Sequence, residues 1–241
     1  MNKSILFICI LFSVISHSQT VGAQYRGSDG IPHNLEFDDA SGRPIPIGDH
    51  SNIGGSPLLQ STWEFGVIKL KNGGTYSDAR VNYSLFNDKL FIQRNGKMYP
   101  FNYPVEEFSI EDSEDSDEKK IYHFKNGFPS INGKDSSTFY EILFEGNSMM
   151  LLKWKHKKIR EIYNYGATFQ SEYSPVSEFF VFFPKKNKMA QLGVRASLNT
   201  IRKNLPAYSN QIHAYNSTHT LNMKKDDDLV QLFSYLDSVN L

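Results

Sequence analysis

Hydrophobic and polar residues alternate from Thr62 to about residue 111, which is typical of strands with one buried face. In "VIKLK", Ile68 and Leu70 fall on one face and two lysines on the other. In "RVNYSL", every second residue is again apolar. Turn-forming residues separate the runs: Asn72-Gly73-Gly74, Asn87-Asp88 and Asn95-Gly96. The pattern predicts an antiparallel meander with one polar face exposed to solvent.

The alternation resumes after residue 120 and extends the predicted sheet. "IYHF", "TFYEILFE" and "MMLLKWKHKKIREIYNY" are typical of strands, whereas residues 164–177 predict a long loop. "EFFVFF" is apolar on both faces and predicts a central or doubly covered strand, with "MAQLG" as a short partner. Four carboxylates are expected at solvent-facing strand positions: Glu106, Glu107, Glu141 and Glu145.

After Gly193 the hydrophobic spacing changes to three and four residues, which predicts helices. Leu198, Ile201 and Leu205 form a first stripe, and Pro206 can open a second helix. "KDDDLVQLFSYLDSV" is the clearest helix, because aspartates favour an N-terminus and an apolar stripe follows. Since strands precede helices, the predicted class is α+β. We expect a mostly antiparallel twisted β-sheet or partial barrel of about eight to ten strands, with two or three C-terminal helices.

The first 23 residues are typical of an export signal. Lys3 supplies a positive charge, and residues 5–15 form an apolar run, shorter than the roughly 20 residues that span a bilayer. Cleavage is expected after Ser18 or Ala23, leaving no transmembrane segment. Residues 24–57, rich in Gly, Pro, Ser and Asp, predict an extended lead segment. Residues 58–241 are expected to form a single domain that is β-rich to residue 193 and helical from 194.

Composition narrows the class of protein. Hydrophobic residues make up 39% of the chain, and basic and acidic residues number 26 each. The chain can therefore build a sizeable core, and its net charge does not favour nucleic acid. The single cysteine, Cys9, lies inside the apolar run after Ile8 rather than after a small residue, so no lipid anchor is expected. A cleaved chain would have no cysteine, which excludes disulfides, thiol catalysis and zinc–thiolate sites.

Several motifs of turn and core residues resemble a known set of proteins. They are "GSP-L…W" (Gly55, Ser56, Pro57, Leu58 and Trp63), a glycine–tyrosine pattern (Gly66, Leu70, Gly73, Tyr76, Val81 and Tyr83), a "YEILFEG…LLK" hairpin and a closing "DDLVQLFSYLDSV" helix. Together they resemble a family of uncharacterised exported proteins common in Bacteroidota. The resemblance covers most of the cleaved chain and implies a β-rich body with C-terminal helices. It implies no activity and no catalytic residues.

An acidic run is the first candidate for chemistry. It contains Glu111, Asp112, Glu114, Asp115, Asp117 and Glu118. Calcium takes six to eight oxygen ligands, and Asp112, Glu114, Asp115 and Asp117 could supply several. An EF-hand loop would also need a glycine and a spaced glutamate, which are absent. The alternative is a solvated hairpin loop.

A basic run, "KWKHKKIR", is the second candidate. Lys153, Lys155, Lys157 and Arg160 could form a surface for a polyanion, because basic and aromatic residues interleave. The alternative is structural, because lysines on a strand hinder unwanted edge pairing.

Other catalytic patterns are lacking in the sequence. It has no H-E-x-x-H, no G-x-S-x-G and no phosphate-binding glycine loop. The aromatic residues of the later strands either form the core or line a cavity for an apolar ligand. They are Phe139, Tyr140, Phe144, Trp154, Phe179, Phe180, Phe182 and Phe183.

The expected function is therefore that of an exported protein, periplasmic or at the cell surface, that is non-catalytic and binds a partner or ligand. The partner would be an envelope protein or an apolar or anionic ligand, with no nucleic acid and no cofactor. Two alternatives stay open: a carrier of a lipid or other apolar ligand, and an unrecognised hydrolase.

Overall fold

The computed structural model describes residues 24–26, 32–34, 53–112, 120–162 and 171–239. The predicted export signal and most of the acidic run lie outside these ranges. In the described ranges the chain forms thirteen strands, three α-helices and two short 3-10 helices, Pro184–Lys186 and Pro206–Tyr208. The strands are β1 Gln24–Arg26, β2 Pro32–Asn34, β3 Ile53–Gly54, β4 Glu64–Leu70, β5 Thr75–Ser84, β6 Lys89–Arg94, β7 Lys97–Pro100, β8 Val105–Glu111, β9 Ile121–Lys125, β10 Tyr140–Glu145, β11 Met150–Glu161, β12 Ser171–Phe183 and β13 Lys188–Gly193. The helices are α1 Leu198–Asn204, α2 Ser209–Thr218 and α3 Asp226–Ser238.

All thirteen strands belong to one sheet, which runs in the order β13-β12-β11-β10-β9-β8-β4-β5-β1-β2. The strand β6 pairs with β5 and β7, and β3 runs parallel to β12. Every other pair is antiparallel, so the predicted arrangement is confirmed except at β3. Ten of the strands lie in the predicted β-rich region, and the other three lie in the predicted lead segment. The three C-terminal helices are also confirmed.

The predicted meander is wrong at its last step. The strands β4 to β7 follow one another, but β8 returns to pair with β4, so that Val67 lies opposite Ser109. The sheet then curves until the backbone N–H of Lys157 on β11 donates to the carbonyl of Leu85 after β5, at 2.9 Å. Among the described residues this is the one backbone hydrogen bond between β11 and the end of β5, and the two strands do not pair, so the sheet does not close into a barrel.

The polar face of β5 is also not exposed as predicted. Asn82 is buried because the chain before β4 covers it. Its amide nitrogen donates to the carbonyls of Gln60 and Thr62 at 2.9 and 2.8 Å. A polar residue in the alternation therefore serves as a hydrogen-bonding anchor for the preceding segment.

The predicted loop over residues 164–177 is wrong for its second half, because β12 begins at Ser171. Pro175 fits in this strand because β3 pairs with residues 171–172 and β13 with residues 179–183, which leaves Pro175 between the two partners. The sequence predicts a central or doubly covered strand for the "EFFVFF" run. This run lies in β12, second from the edge of the sheet, and the coverage of both faces is confirmed. Phe179 and Val181 pack towards the helices, and Phe180 and Phe182 pack on the opposite face.

Three hydrophobic clusters hold the sheet. The concave face of β4, β5, β8 and β9 carries an aromatic cluster around Tyr83 and Phe108. On the same side, the helices bury their apolar stripes against β11, β12 and β13, and four residues of α3 are fully buried: Leu229, Leu232, Phe233 and Leu236. The opposite face of β10–β13 is covered by Phe128 and Ile131 from the segment between β9 and β10. Both faces of this half of the sheet are thus covered.

Candidate functional site

The outer face of β4, β8 and β9 carries an open groove. Because the strands are in register, Val67, Ser109 and His123 form one row across the face, and Lys69, Glu107 and Lys125 form the next row. The groove is a depression of about 390 Å³. Its lining is made by Val67, Lys69, Thr75, Glu107, Phe108, Ser109, Ile121 and His123. We call it the outer-face groove.

The centre of the outer-face groove is apolar and exposed. Ile121 is 60% exposed and Val67 is 44% exposed. Phe65, two residues before Val67 on β4, is 42% exposed, and the guanidinium of Arg80 lies 4.7 Å from its ring centroid. A group of large apolar side chains on a sheet face is more typical of an interaction surface than of an isolated solvated strand.

The rim of the groove is charged but internally neutralised. Lys69 Nζ lies 3.2 Å from Glu106 and 3.3 Å from Glu107, and Lys125 Nζ lies 3.3 Å from Glu107. Hydrogen bonds to Glu106 and Glu107 raise the pKa of Lys69. Burial alone would raise the pKa of Glu107, but the charges and hydrogen bonds of Lys125 and Lys69 outweigh it and lower that pKa. Lys69 and Glu107 thus stay ionised at neutral pH, and the paired rim has little net charge.

Two strands approach each other closely at Gly66, next to Val67 of the groove. A Cβ added at Gly66 would lie 2.5 Å from the carbonyl oxygen of Ser109 and would also clash with Val81. Only glycine therefore allows β4 to lie this close to its neighbours. Val67 and Ser109, adjacent to this contact, are held at a fixed spacing. This gives a physical role to Gly66 in the glycine–tyrosine pattern.

The lysines of the basic run lie on the concave face of β11, where each has a partner. Lys153 Nζ is 2.6 Å from Asp226 of α3, and Lys155 Nζ is 2.9 Å from Glu141 and 4.0 Å from the ring centroid of Tyr122. Lys157 Nζ donates to the carbonyls of Ser56 and Leu58 at 2.9 and 2.5 Å.

Arg160, the fourth residue of the run, is more exposed and pairs with Glu172 at 2.5 Å. The side chains of Lys153 and Lys155 are only 15% and 16% exposed. These contacts favour a structural role. Edge protection does not explain Lys153, where β11 pairs with both β10 and β12, but from Lys155 onwards the partner strand is β12 alone among the described strands.

Glu141 does not face solvent as predicted. It is 3% exposed because it faces the concave side, where β9 and β11 flank it and Lys155 neutralises its charge. Of the suggested calcium ligands, only Asp112 is described, and its backbone N–H donates to the carbonyl of Lys120 at 2.8 Å. Glu114, Asp115 and Asp117 lie outside the described residues. Within the described ranges, no three His, Cys, Asp or Glu residues come together as metal ligands.

The candidate aromatic residues belong to several packing groups. Phe139 joins Tyr83, Phe108 and Phe124 on the concave side, where ring centroids are 5.0–6.1 Å apart. Phe144, Phe179 and Phe183 pack with the helices, whereas Tyr140, Trp154, Phe180 and Phe182 pack on the opposite face. The rings thus contact one another as in a core.

Sequence reasoning missed the outer-face groove because each of its residues fits a simple alternation. The available signal was the pair of apolar residues at polar positions, Val67 and Ile121. Residue 121 is the first of β9, where a single apolar side chain is not distinctive. Val67 and Ile121 come close only because β8 pairs with β4 rather than with β7, and the alternation does not show this pairing.

Comparison of the chain with family models, with curated proteins and with solved structures finds no match. In the part of the chain that the structure describes, no helix is both long and apolar enough to cross a membrane.

Proposed function

We propose that this chain is an exported, non-catalytic binding protein of the bacterial envelope and that it contacts a protein partner through the outer-face groove. The observation that carries the proposal is the exposure of Ile121 and Val67 in a groove whose rim charges are already paired. A partner that covers these half-exposed side chains would gain, for each one, roughly half of the 1.5–3 kcal/mol that burying a fully exposed apolar side chain gives. Because the rim charges are already paired, they would fix the orientation of a bound partner more than they would attract it. The export signal predicted from the sequence and the resemblance to exported proteins of Bacteroidota are the grounds for the proposed compartment.

The two alternative functions have less support. A carrier of an apolar ligand would use the aromatic residues, but these contact one another at core distances. A hydrolase would need a nucleophile or a general base in a cleft. The outer-face groove offers Ser109 and His123 in one row, but His123 is closest to Glu107 at 3.7 Å, and no activating contact to Ser109 is seen among the described residues.

The experiment is site-specific photo-crosslinking in envelope extracts. A photoreactive residue at position 121 or 67 should capture one defined protein, and the same residue at Val194 should not. Val194 is a matched control because it is also apolar and 57% exposed but lies outside the groove. The captured protein would then be purified and titrated calorimetrically with the wild type.

Ile121→Ser and Val67→Ser should each weaken this binding about three- to tenfold, since 1.4 kcal/mol corresponds to tenfold. Val194→Ser should leave it unchanged. Equal crosslinking from all three positions, or unchanged affinity of both groove variants, would contradict the proposal.

A further inference from the structure

The segment that joins β9 to β10 crosses the face of the sheet opposite the helices. We call residues 126–138 the strap. The strap forms a small hairpin, in which Ile131 and Lys134 exchange backbone hydrogen bonds of 2.9 and 3.0 Å. Asn132 and Gly133, at its tip, both have positive φ, of 49° and 78°. An Asn-Gly pair meets this requirement of a tight hairpin turn.

The strap is attached to the sheet by apolar packing, by an ion pair and by hydrogen bonds. Asn126 Nδ2 donates to the carbonyl of Val105 at 3.0 Å, and Asn132 Nδ2 at the tip donates to Gln191 Oε1 on β13 at 2.6 Å. Phe128 packs edge-on against Tyr140 and Phe182, with centroid distances of 5.5 and 5.1 Å. Lys134 Nζ lies 3.1 Å from Glu178 on β12 and 3.9 Å from the ring centroid of Trp154 on β11. The side chains of Lys134 and Glu178 are only 9% and 15% exposed, so this ion pair is poorly screened by water.

A buried histidine lies beside this ion pair. His156 is 8% exposed, and its ring stacks on Trp154 at a centroid distance of 3.8 Å. Neither of its ring nitrogens has a hydrogen-bond partner among the described residues. The buried hydroxyl of Tyr140 also has no hydrogen-bond partner there. A neutral imidazole tolerates this environment at some cost. An imidazolium would bury a full charge and two unused donors.

The charged groups around His156 come from three elements. Lys158 lies on the same strand, Lys134 on the strap, and Glu178 on β12. Burial is the main cause that lowers the pKa of His156, Lys158 and Lys134 lower it further, and Glu178 opposes them. A proton on His156 would also compete with Lys134 for Glu178, one of the acceptors that hold the strap.

We propose that the strap is an acid-released cover: it is closed while His156 is neutral, and it opens when His156 takes up a proton. Opening would give the imidazolium access to water and separate it from Lys134. It would also expose the apolar surface around Trp154 and Phe180. This device does not depend on the outer-face groove, which lies on other strands.

The direction of the pH effect follows from proton linkage. With the strap open, the pKa of His156 is expected near its ordinary value of about 6.5, whereas the closed strap holds it lower. The strap is then most stable above this value and loses stability as the pH falls below it. Between the two pKa values, the ratio of closed to open forms should fall by up to about tenfold for each pH unit.

The proposal is tested by hydrogen exchange of backbone N–H groups at pH 7.5 and pH 5.0. Each measured exchange rate is divided by the intrinsic exchange rate at the same pH to give the protection of that group. The backbone N–H groups of Gly127, Ile131 and Lys134 donate within the strap and should lose protection by tenfold or more at pH 5.0. The backbone N–H groups of β11 and β12 should keep their protection at pH 5.0. His156→Phe should remove the pH dependence, and His156→Gln provides a second neutral side chain if the phenyl ring alters packing. His213→Phe, on exposed α2, is the control and should behave as the wild type.

A second measurement follows the proton on His156 itself. In a Trp63→Phe background, Trp154 is the remaining tryptophan, and a stacked imidazolium should quench its fluorescence. The quenching midpoint should coincide with the loss of strap protection. Strap protection that is unchanged between the two pH values, or an equal loss in both His156 variants, would overturn the proposal.

Discussion

The carboxylate of Asp237, near the end of α3, accepts hydrogen bonds from the backbone N–H and the hydroxyl of Ser148 in the β10–β11 turn, at 2.7 and 2.5 Å. It also accepts from the backbone N–H groups of Asn147 and Met149 at 2.9 and 3.1 Å. One side chain thus joins the C-terminal helix to the hairpin on which it packs. The "YEILFEG…LLK" and "DDLVQLFSYLDSV" motifs, read separately in the sequence, meet at this contact.

Asp237→Ala should therefore destabilise the fold by roughly 1–3 kcal/mol, because hydrogen bonds to a charged group are lost while the turn amides remain. Partial burial alone would raise the pKa of Asp237, but the Ser148 and backbone hydrogen bonds outweigh it and lower that pKa. The contribution of Asp237 is then complete above about pH 4 and is lost as the pH falls below it. Urea unfolding at pH 7 and pH 3 checks both points. Equal differences between variant and wild type at the two pH values would contradict the assignment.

Gly146 is required by the same contact. A Cβ at this position would lie 2.5 Å from the carboxyl carbon of Asp237, so Gly146→Ala must displace the carboxylate. We expect a loss of about 1–3 kcal/mol, which becomes much smaller in an Asp237→Ala background, because the two changes remove one interaction. Gly96→Ala is the control: its φ is +73°, but no atom lies within 4 Å of the added Cβ. Its cost should be the same in both backgrounds. Thermal unfolding of the set measures the coupling.

Asp88 should make the protein less stable above about pH 6 than near pH 4. Burial of its carboxylate is the main cause that raises the pKa of Asp88 to about 6. A backbone hydrogen bond from Phe139 lowers this pKa, and the negative charge of Asp135 raises it further. The residue as a whole is exposed, so solvent screening reduces the effect, and we expect about 1 kcal/mol or less. A raised folded-state pKa favours folding fully below about pH 4, and this advantage is lost as the pH rises through 6.

Asp88→Asn keeps an acceptor for the Tyr83 hydroxyl and suits the positive φ of 59° at this position. The variant should be more stable than the wild type at pH 8 and equal to it near pH 4. Urea unfolding across this range tests the sign. A variant that is less stable at pH 8 would show that the ionised carboxylate is favourable.

The sequence alone predicts an element correctly where the hydrophobic pattern lies within that element's own residues. Leu229, Leu232, Phe233 and Leu236 recur at helical spacing and are all buried in α3. "EFFVFF" is apolar on both faces because both faces are covered. The strap was not anticipated, although Asn132-Gly133 was a readable turn signal.

Pairing between distant strands could not be predicted in the same way. The return of β8 to β4 depends on how the sheet curves, and the curvature depends on many contacts at once. The inward direction of the basic run has the same origin, because period-two alternation groups Lys153, Lys155 and Lys157 without showing which face is concave. The apolar partners that would settle this, such as Tyr122, are 30 or more residues away in the sequence.

The buried pair of Lys155 and Glu141 yields the last prediction. Burial lowers the pKa of Lys155, and the charge and hydrogen bond of Glu141 partly restore it. Lys155→Met would leave Glu141 buried without a counter-charge and should cost about 3–5 kcal/mol. Glu141→Gln should cost less, because Lys155 has a long side chain that also contacts the ring of Tyr122.

The double variant Lys155→Met/Glu141→Leu removes both charges and should recover most of the stability lost in Lys155→Met, since replacing a buried pair by apolar residues is often neutral. Guanidinium unfolding of the wild type, Lys155→Met, Glu141→Leu and the double variant measures the coupling, and Glu141→Gln is unfolded beside them. If Lys155→Met costs less than about 1 kcal/mol, the pair is solvated in solution. The lysine would then be available to an external anion, as the basic run first suggested.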